Sequence, residues 1–318
     1  MKIWQILNED KEWEIEVGPI TVLKGNSSSW YQLIRLVDDF FNNKSSTVTI
    51  FEDTQSLIKK DWECLFIPFD AHVQLDKITA KSPLRMLLEE ACQDISLTPV
   101  FQEFEELWEE LYEELQFINN KFEKFGLGIH LEPFSQKDLE SKLFFSPLIS
   151  SRMAPIEFKQ LLLNLFTERT VEKKRLILIE MPELYADRYE IENFLNTVNH
   201  YACKGTIFII VTQNVMKGNQ NIYHNKVILN EARIDLLKGK VTNQLPFACN
   251  NAVFEKAKMS LLEAVDNSRN MLGIEVNPQE EDEAISVILF ILARELNIPL
   301  SIDTTGLSPN LRNFIDAC

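Results

Sequence analysis

Three groups of residues have the types and order of phosphate chemistry. The first is the stretch Thr21 to Asp39, TVLKGNSSSWYQLIRLVDD, in which an apolar strand meets Gly25, a run of serines and a helical pattern. A phosphate-binding loop spaced GxxxxGK[ST] places a second glycine, a lysine and a hydroxyl after the first glycine. Counted from Gly25, those places hold Trp30, Tyr31 and Gln32. Backbone amides can still cradle an anion there, but the lysine for the β- and γ-phosphates and the hydroxyl for Mg²⁺ are missing. The second group closes the apolar run RLILIE, where Glu180 takes the place of a metal-binding acid and Met181 that of the acid that would position water. A thioether accepts no proton from water. The third follows TIFIIVT, where Gln213 takes the place of a switch histidine. A Gly-Ser turn or a strand-end glutamate alone is commonplace. The three together, in this order, specify a fold more than an activity.

The elements that must position these groups follow from periodicity. Residues 2–7 and 13–17 alternate as strands, and 20–23, 47–51 and 63–69 are further short strands. Runs 175–180 and 206–212 are almost wholly apolar and are joined by a helix over 189–202, the pattern of parallel strands buried on both faces. Residues 226–229 and 233–237 suggest a closing antiparallel pair. The expected class is α/β, a degenerate P-loop NTPase-like, ABC-ATPase-like head, in two parts at 1–79 and 147–240.

Two helical regions interrupt and follow that head. Ser82-Pro83 and Thr98-Pro99 each pair an N-cap with a first-turn proline. After the second, Phe101, Phe104, Trp108, Leu111, Leu115, Ile118, Phe122 and Phe125 recur at 3-4 spacing, a heptad seam expected to run as one helix to Gly126. Residues 80–146 are therefore read as an inserted helical leg. Its glutamates, from Glu103 to Glu114, are first of all a solvated face. Residues 241–318 carry helices at about 251–266, 280–296 and 308–317 and read as a separate C-terminal extension.

The net charge of −16 by itself argues against nucleic acid. Its distribution is uneven: residues 80–146 carry −8, residues 241–318 carry −6, and the head carries only −2. A local basic surface on the head is compatible with these numbers. No apolar run approaches the ~18 residues of a membrane span, and the N-terminus alternates like a strand after Lys2, without a secretory pattern. Five widely spaced cysteines form no zinc or redox motif, which fits a reducing, cytoplasmic setting. His72, His130, His200 and His224 are scattered without metal-ligand spacing.

In the order of its parts, and in what they lack, the chain resembles the long form of the ring-forming accessory protein of type II-A CRISPR adaptation modules. The opening strands, LKGNSSSWYQLIRLV, the acidic insertion at 80–146, RLILIEMPEL and TIFIIVTQN carry the resemblance. It implies a homotetrameric ring without enzymatic activity that binds double-stranded DNA, preferring free ends, by passing the duplex through its hole. It also implies partnership with the CRISPR integrase pair and the RNA-guided effector nuclease in spacer acquisition, an antiviral defence. No ATP is expected. Calcium enters by resemblance only, with no ligands assigned to residues of this chain.

A ring reconciles DNA with a charge of −16, because acidic leg and extension can face outward while head lysines line the hole. Candidates for the hole are Lys24, Lys59, Lys60, Lys173, Lys174 and Lys217, all near expected loops or element ends. Lys24 and the amides of Gly25 to Ser29 would then face a DNA phosphate. Two other classes of function stay open. One is a divergent ABC-type ATP hydrolase, motivated by the strand order and Glu180. The other is a protein-interaction scaffold, motivated by the seam at 101–125.

Overall fold

The computed structural model describes residues 2–9, 11–25, 27–75, 82–145, 153–169, 172–214, 216–224, 227–267, 274–276, 283–302, 304 and 307–317. These fall into two compact units, Met1–Phe69 with Thr170–Cys318, and Asp70–Arg169.

The first unit begins with an antiparallel hairpin, β1 (Lys2–Asn8) and β2 (Lys11–Val17). Alternation puts Trp4, Ile6, Trp13 and Ile15 on one buried face. Next come β3 (Ile20–Gly25) and α1 (Ser27–Asn42), whose Trp30, Leu33, Ile34 and Val37 recur at helical spacing and are all buried. The strand expected at 47–51 is β4 (Thr49–Glu52). It pairs with β1 and with the two-residue β5 (Gln55–Ser56), so it belongs to a side sheet ordered β2-β1-β4-β5.

The main sheet adds β6 (Trp62–Ile67), β7 (Lys174–Glu180), β8 (Ile207–Val211), β9 (Asn219–His224) and β10 (Val227–Leu229), in the order β10-β9-β3-β8-β7-β6. All neighbours in it are parallel except β10, which runs against β9. Leu176 to Ile179 are fully buried, each such side chain contributing roughly 1.5–3 kcal/mol. The chain leaves β3 for the far edge at β6, returns through β7 and β8, then crosses to β9 on the other side of β3. That reversal puts a switch point at the carboxyl end of β3, where open α/β sheets form their crevice. This is a P-loop-like α/β fold.

In the second unit, Ser82 and Thr98 cap their helices as expected, accepting from Leu84 N and Phe101 N at 3.3 Å each. They begin α2 (Pro83–Ser96) and α3 (Pro99–Asn119). The heptad helix is shorter than expected: it stops at Asn119, and a 3-10 turn at Glu123–Phe125 follows. Asn119 explains the stop, since its amide accepts from Ile129 N at 2.6 Å and donates to Ile129 O at 2.8 Å, folding the chain back. Phe101 is buried, Trp108, Leu115 and Phe122 are half-buried, and Phe104, Leu111, Ile118 and Phe125 are exposed, so half of the seam is left exposed among the described residues. The unit also contains α4 (Gln136–Lys142) and α5 (Pro155–Glu168). The sequence reading gave the α5 segment to the head. It clusters instead with the helical unit, which extends beyond 80–146 on both sides.

The remaining elements belong to the first unit. Between β7 and β8 lies α6 (Arg188–Cys203), capped by Asp187. The expected strand at 233–237 is a helix, α7 (Glu231–Thr242), because the Asn230 side chain accepts from Arg233 N at 2.9 Å and caps it. The partner of β10 is therefore β9, which the sequence reading missed. Residue 226, assigned to that strand, lies outside the described residues.

The C-terminal region contains α8 (Asn251–Asn267), α9 (Glu283–Glu295) and α10 (Pro309–Ala317), and a small parallel pair, β11 (Ile274–Val276) with β12 (Leu300–Ile302). It was expected as an independent, purely helical extension. Instead Phe254, Leu261, Val287 and Ile291 share one core with Ile222, Leu229 and Ile234 of the head. The N-terminal part of the expected helix at 280–296, residues 280–282, lies outside the described residues. No described helix is long and apolar enough to cross a membrane.

Candidate functional site

β3, β7 and β8 are parallel, so the three groups singled out in the sequence meet at one end of the sheet. Their ends are in register: Leu23 lies opposite Val211, and Val211 opposite Glu180. Gly25 ends β3 with φ +91°, where a Cβ would sit 2.4 Å from Tyr223 O. Both the left-handed conformation and the close approach of β9 require glycine.

Asn26, within the stretch Gly25 to Ser29 whose amides were assigned to a phosphate, lies outside the described residues; the helix that follows packs back on β3. Trp30 is fully buried, and its Nε1 donates to Lys24 O at 2.5 Å. Its ring meets Tyr223 edge-on, centroids 5.9 Å apart. The residue at the second-glycine place is thus a core side chain rather than a bare backbone. Tyr31, at the lysine place, is 42% exposed and carries no cation of its own. Gln32 accepts from Lys11 Nζ at 2.9 Å.

Glu180 is 1% exposed at the end of β7. Arg35, one turn after Tyr31 on α1, reaches it with Nη1 to Oε1 at 2.5 Å and Nη2 to Oε2 at 3.4 Å. The guanidinium stacks on the Tyr31 ring, 3.2 Å from its centroid, and lies 5.5 Å from that of Phe66. The carboxylate at the metal-acid place is therefore neutralised by a fixed side-chain cation. Arg35 was not singled out in the sequence. The signal that could have found it is helical spacing, since position 35 lies one turn beyond the lysine place on the face turned to the sheet.

Met181 has φ +42°, and its N–H donates to Val211 O at 2.8 Å, joining β7 and β8 just beyond their last pair. Its side chain packs against the main core. The acid that does engage the β8 end is Glu183. It accepts from Thr212 Oγ1 at 3.0 Å and from Gln213 N at 2.8 Å, leaving the Gln213 side chain exposed. Chemically, this end of the sheet offers a half-buried charge pair and a backbone clamp, with no proton acceptor at Met181.

The candidate lysines divide between the two ends of the sheet. Lys24 is 5% exposed and paired with Asp266 of α8. Strand alternation turns it to the face opposite Leu23, the face that α8 covers. Its placement toward a DNA phosphate is thus corrected: Lys24 anchors the C-terminal helices to the sheet. The other five sit at the amino end. Lys59 and Lys60 form the turn before β6, Lys173 and Lys174 open β7, and Lys217 precedes β9. Lys60, Lys173, Lys174 and Lys217 are exposed. Lys59 lies over Phe40 at 4.9 Å and Lys174 over Trp62 at 5.2 Å.

Two lysines that the sequence reading passed over join this edge. Lys44 follows α1 and Asn43, whose carbonyl accepts from Lys59 Nζ at 3.3 Å, and Lys204 lies between α6 and β8. The acids in the same short segments are Asp61 and Glu172. From β6 to β9 the edge spans four strand spacings, roughly 19 Å. Topology alone gathers these cations, since each precedes a parallel strand or ends a helix running back to that edge. Among the described residues no group of three or more His, Cys, Asp or Glu side chains could hold a metal ion.

No protein-family model matches the chain, and no curated protein matches it. Among solved structures, Stu0660 of Streptococcus thermophilus is similar over 99% of both chains, with a TM-score of 0.55 and 15% identity, a likeness of fold. The ADP conformation of MJ1267, an ATP-binding cassette of an ABC transporter, overlaps 72% of this chain and 90% of its own, with a TM-score of 0.37 and 15% identity. A nucleotide-free ATP-binding cassette from an ABC transporter overlaps 75% and 96%, with a TM-score of 0.39 and 15% identity. Overlaps that shallow carry no conclusion of their own.

Proposed function

We propose that this protein is a non-enzymatic, ring-forming protein that binds double-stranded DNA by its ends and acts in CRISPR spacer acquisition. The observation that carries DNA binding is the amino edge of the main sheet, where Lys59, Lys60, Lys173, Lys174 and Lys217 gather on an otherwise acidic chain. Cations held on short turns and strand ends suit phosphates, which position a duplex without reading its sequence. Lys44 and Lys204 widen the same edge.

The absence of enzymatic activity in this reading rests on the other end of the sheet. Trp30 replaces the second glycine with a buried core side chain, Arg35 neutralises Glu180, and Met181 supplies no base. ATP hydrolysis needs a cation on the phosphates, a metal, and a group that orients water. Tyr31, Gln32 and Met181 provide none of these. The homotetrameric ring, the preference for ends and the integrase and effector-nuclease partners rest on the motif resemblance; no cofactor is required in this reading, calcium enters by that resemblance only, and a cytoplasmic location rests on the scattered cysteines.

Calorimetry with ATP and Mg²⁺ tests the enzymatic side: no heat of binding is expected, and saturable binding with release of phosphate would reinstate the hydrolase reading. For the DNA side, the substitutions Lys60→Glu and Lys174→Glu are expected to weaken retention of a linear duplex. Unchanged retention would favour a protein scaffold, whose own support is the exposed seam of α3.

A further inference from the structure

The acidic helix α3 borders a cavity of about 660 Å³, within the roughly 300–1,000 Å³ usual for ligand pockets. One wall is the α3 face bearing Glu105, Trp108, Glu109, Tyr112 and Glu113; the other is residues 131–134. Trp108 Nε1 donates to Glu132 O at 3.0 Å, and Phe134 lies 5.4 Å from Trp108 and 4.8 Å from Phe104 between ring centroids. The indole is thereby held with its polar edge satisfied. None of the lining residues is basic, and among the described residues no ion pair holds the carboxylates of Glu105, Glu109, Glu113 or Glu132.

The spacing of the acids selects the kind of cation. Glu105, Glu109 and Glu113 recur every four residues, a rise of about 6 Å each, and they do not converge tightly enough to hold a metal ion. An elongated ligand with positive groups at a similar interval matches them. Alternate side chains of an extended peptide project roughly 6.6 Å apart. A guanidinium is planar, pairs with carboxylates through a rigid fork and stacks on aromatic faces. Trp108 and Tyr112 offer such faces between the acids.

We propose that this cavity binds an extended segment of a protein partner with arginines at alternate positions. The proposal goes beyond DNA binding and uses none of the residues assigned to it.

The test is fluorescence anisotropy of a labelled peptide with alternating arginine and serine, on the full chain at about 150 mM salt, where long-range attraction is screened. Glu109 and Glu113 are exposed, so replacing both by glutamine spares the packing. The double variant Glu109→Gln, Glu113→Gln is expected to bind about tenfold more weakly, with an unchanged melting temperature. The double variant Glu110→Gln, Glu114→Gln removes the same charge from the opposite face of α3 and is expected to weaken binding less than about twofold. Equal weakening by the two pairs would overturn the proposal in favour of diffuse acidity. Full displacement by spermidine at matched charge concentration would overturn it in favour of a small polyamine.

Discussion

Replacing Arg35 by methionine should measure how much the guanidinium contributes by neutralising Glu180. Glu180 is 1% exposed, and Arg35 holds both of its oxygens, at 2.5 Å and 3.4 Å. Breaking a fully buried ion pair from one side costs about 3–5 kcal/mol, because the remaining charge is stranded, whereas exposed pairs contribute about 0–1 kcal/mol. The Arg35 side chain keeps 37% of its surface in solvent, which places this pair between those limits. Loss of about 2 kcal/mol is expected, part of it from the stack on Tyr31. Glu180→Gln should cost less, about 1 kcal/mol, since the guanidinium left behind can reach water. The double variant should recover part of the summed loss, giving a coupling of about 1 kcal/mol. Urea unfolding near neutral pH, followed by circular dichroism, reads all three. If Arg35→Met changed stability by less than about 0.5 kcal/mol, with coupling inside the ~0.3–0.5 kcal/mol of independent sites, the guanidinium would not be what neutralises Glu180.

Gly25→Ala forces a Cβ to 2.4 Å from Tyr223 O at φ +91°. It should cost more than about 1–3 kcal/mol, and a melting temperature within a degree or so of wild type would refute that. His224 is 6% exposed, and burial lowers its pKa below 6.5. The unfolded chain then takes up a proton that the folded one resists, so stability should fall as pH drops through 6.5 toward the lower folded value. Denaturant midpoints from pH 7.5 to 5 should show this slope for wild type and a shallower one for His224→Phe. At the amino edge, Lys60→Ala should weaken duplex binding at every sequence alike and flatten the log–log salt dependence by roughly 0.9 for a lost phosphate contact. An unchanged slope would remove Lys60 from the interface.

The sequence made the sheet legible because Leu176–Ile179 and Phe208–Val211 are continuous apolar runs, which only burial on both faces explains. Caps were equally legible where a hydroxyl precedes a proline, as at Ser82 and Thr98. Misreadings arose where a local pattern was ambiguous. Residues 233–237 alternate over a few positions, and the Asn230 cap decides for a helix. The β9 stretch NQNIYH lacks an apolar signal because half-buried Asn219 and buried Asn221 are polar. Asn219 donates to Glu16 Oε1 at 2.6 Å, while Asn221 accepts from Glu16 N at 2.8 Å and donates to Glu16 O at 2.9 Å.

At the site itself, Trp30, Glu180, Met181 and Gln213 were legible as substitutions within a known spacing. Arg35 was not, because its pairing with Glu180 spans 145 positions of sequence. Lys24 misled for the same reason: nothing local announces Asp266, 242 positions away, as its partner. The amino-edge lysines could be nominated one by one, but only the strand order places them together.

The most direct test compares retention of a linear duplex with that of a covalently closed circle of the same sequence and length, alongside the native mass of the protein. The account predicts a tetramer that retains the linear form and releases the circle, with retention lost when both ends of the linear duplex are blocked by bulky caps before mixing. Equal retention of circle and linear duplex, or a monomer that binds neither, would contradict it.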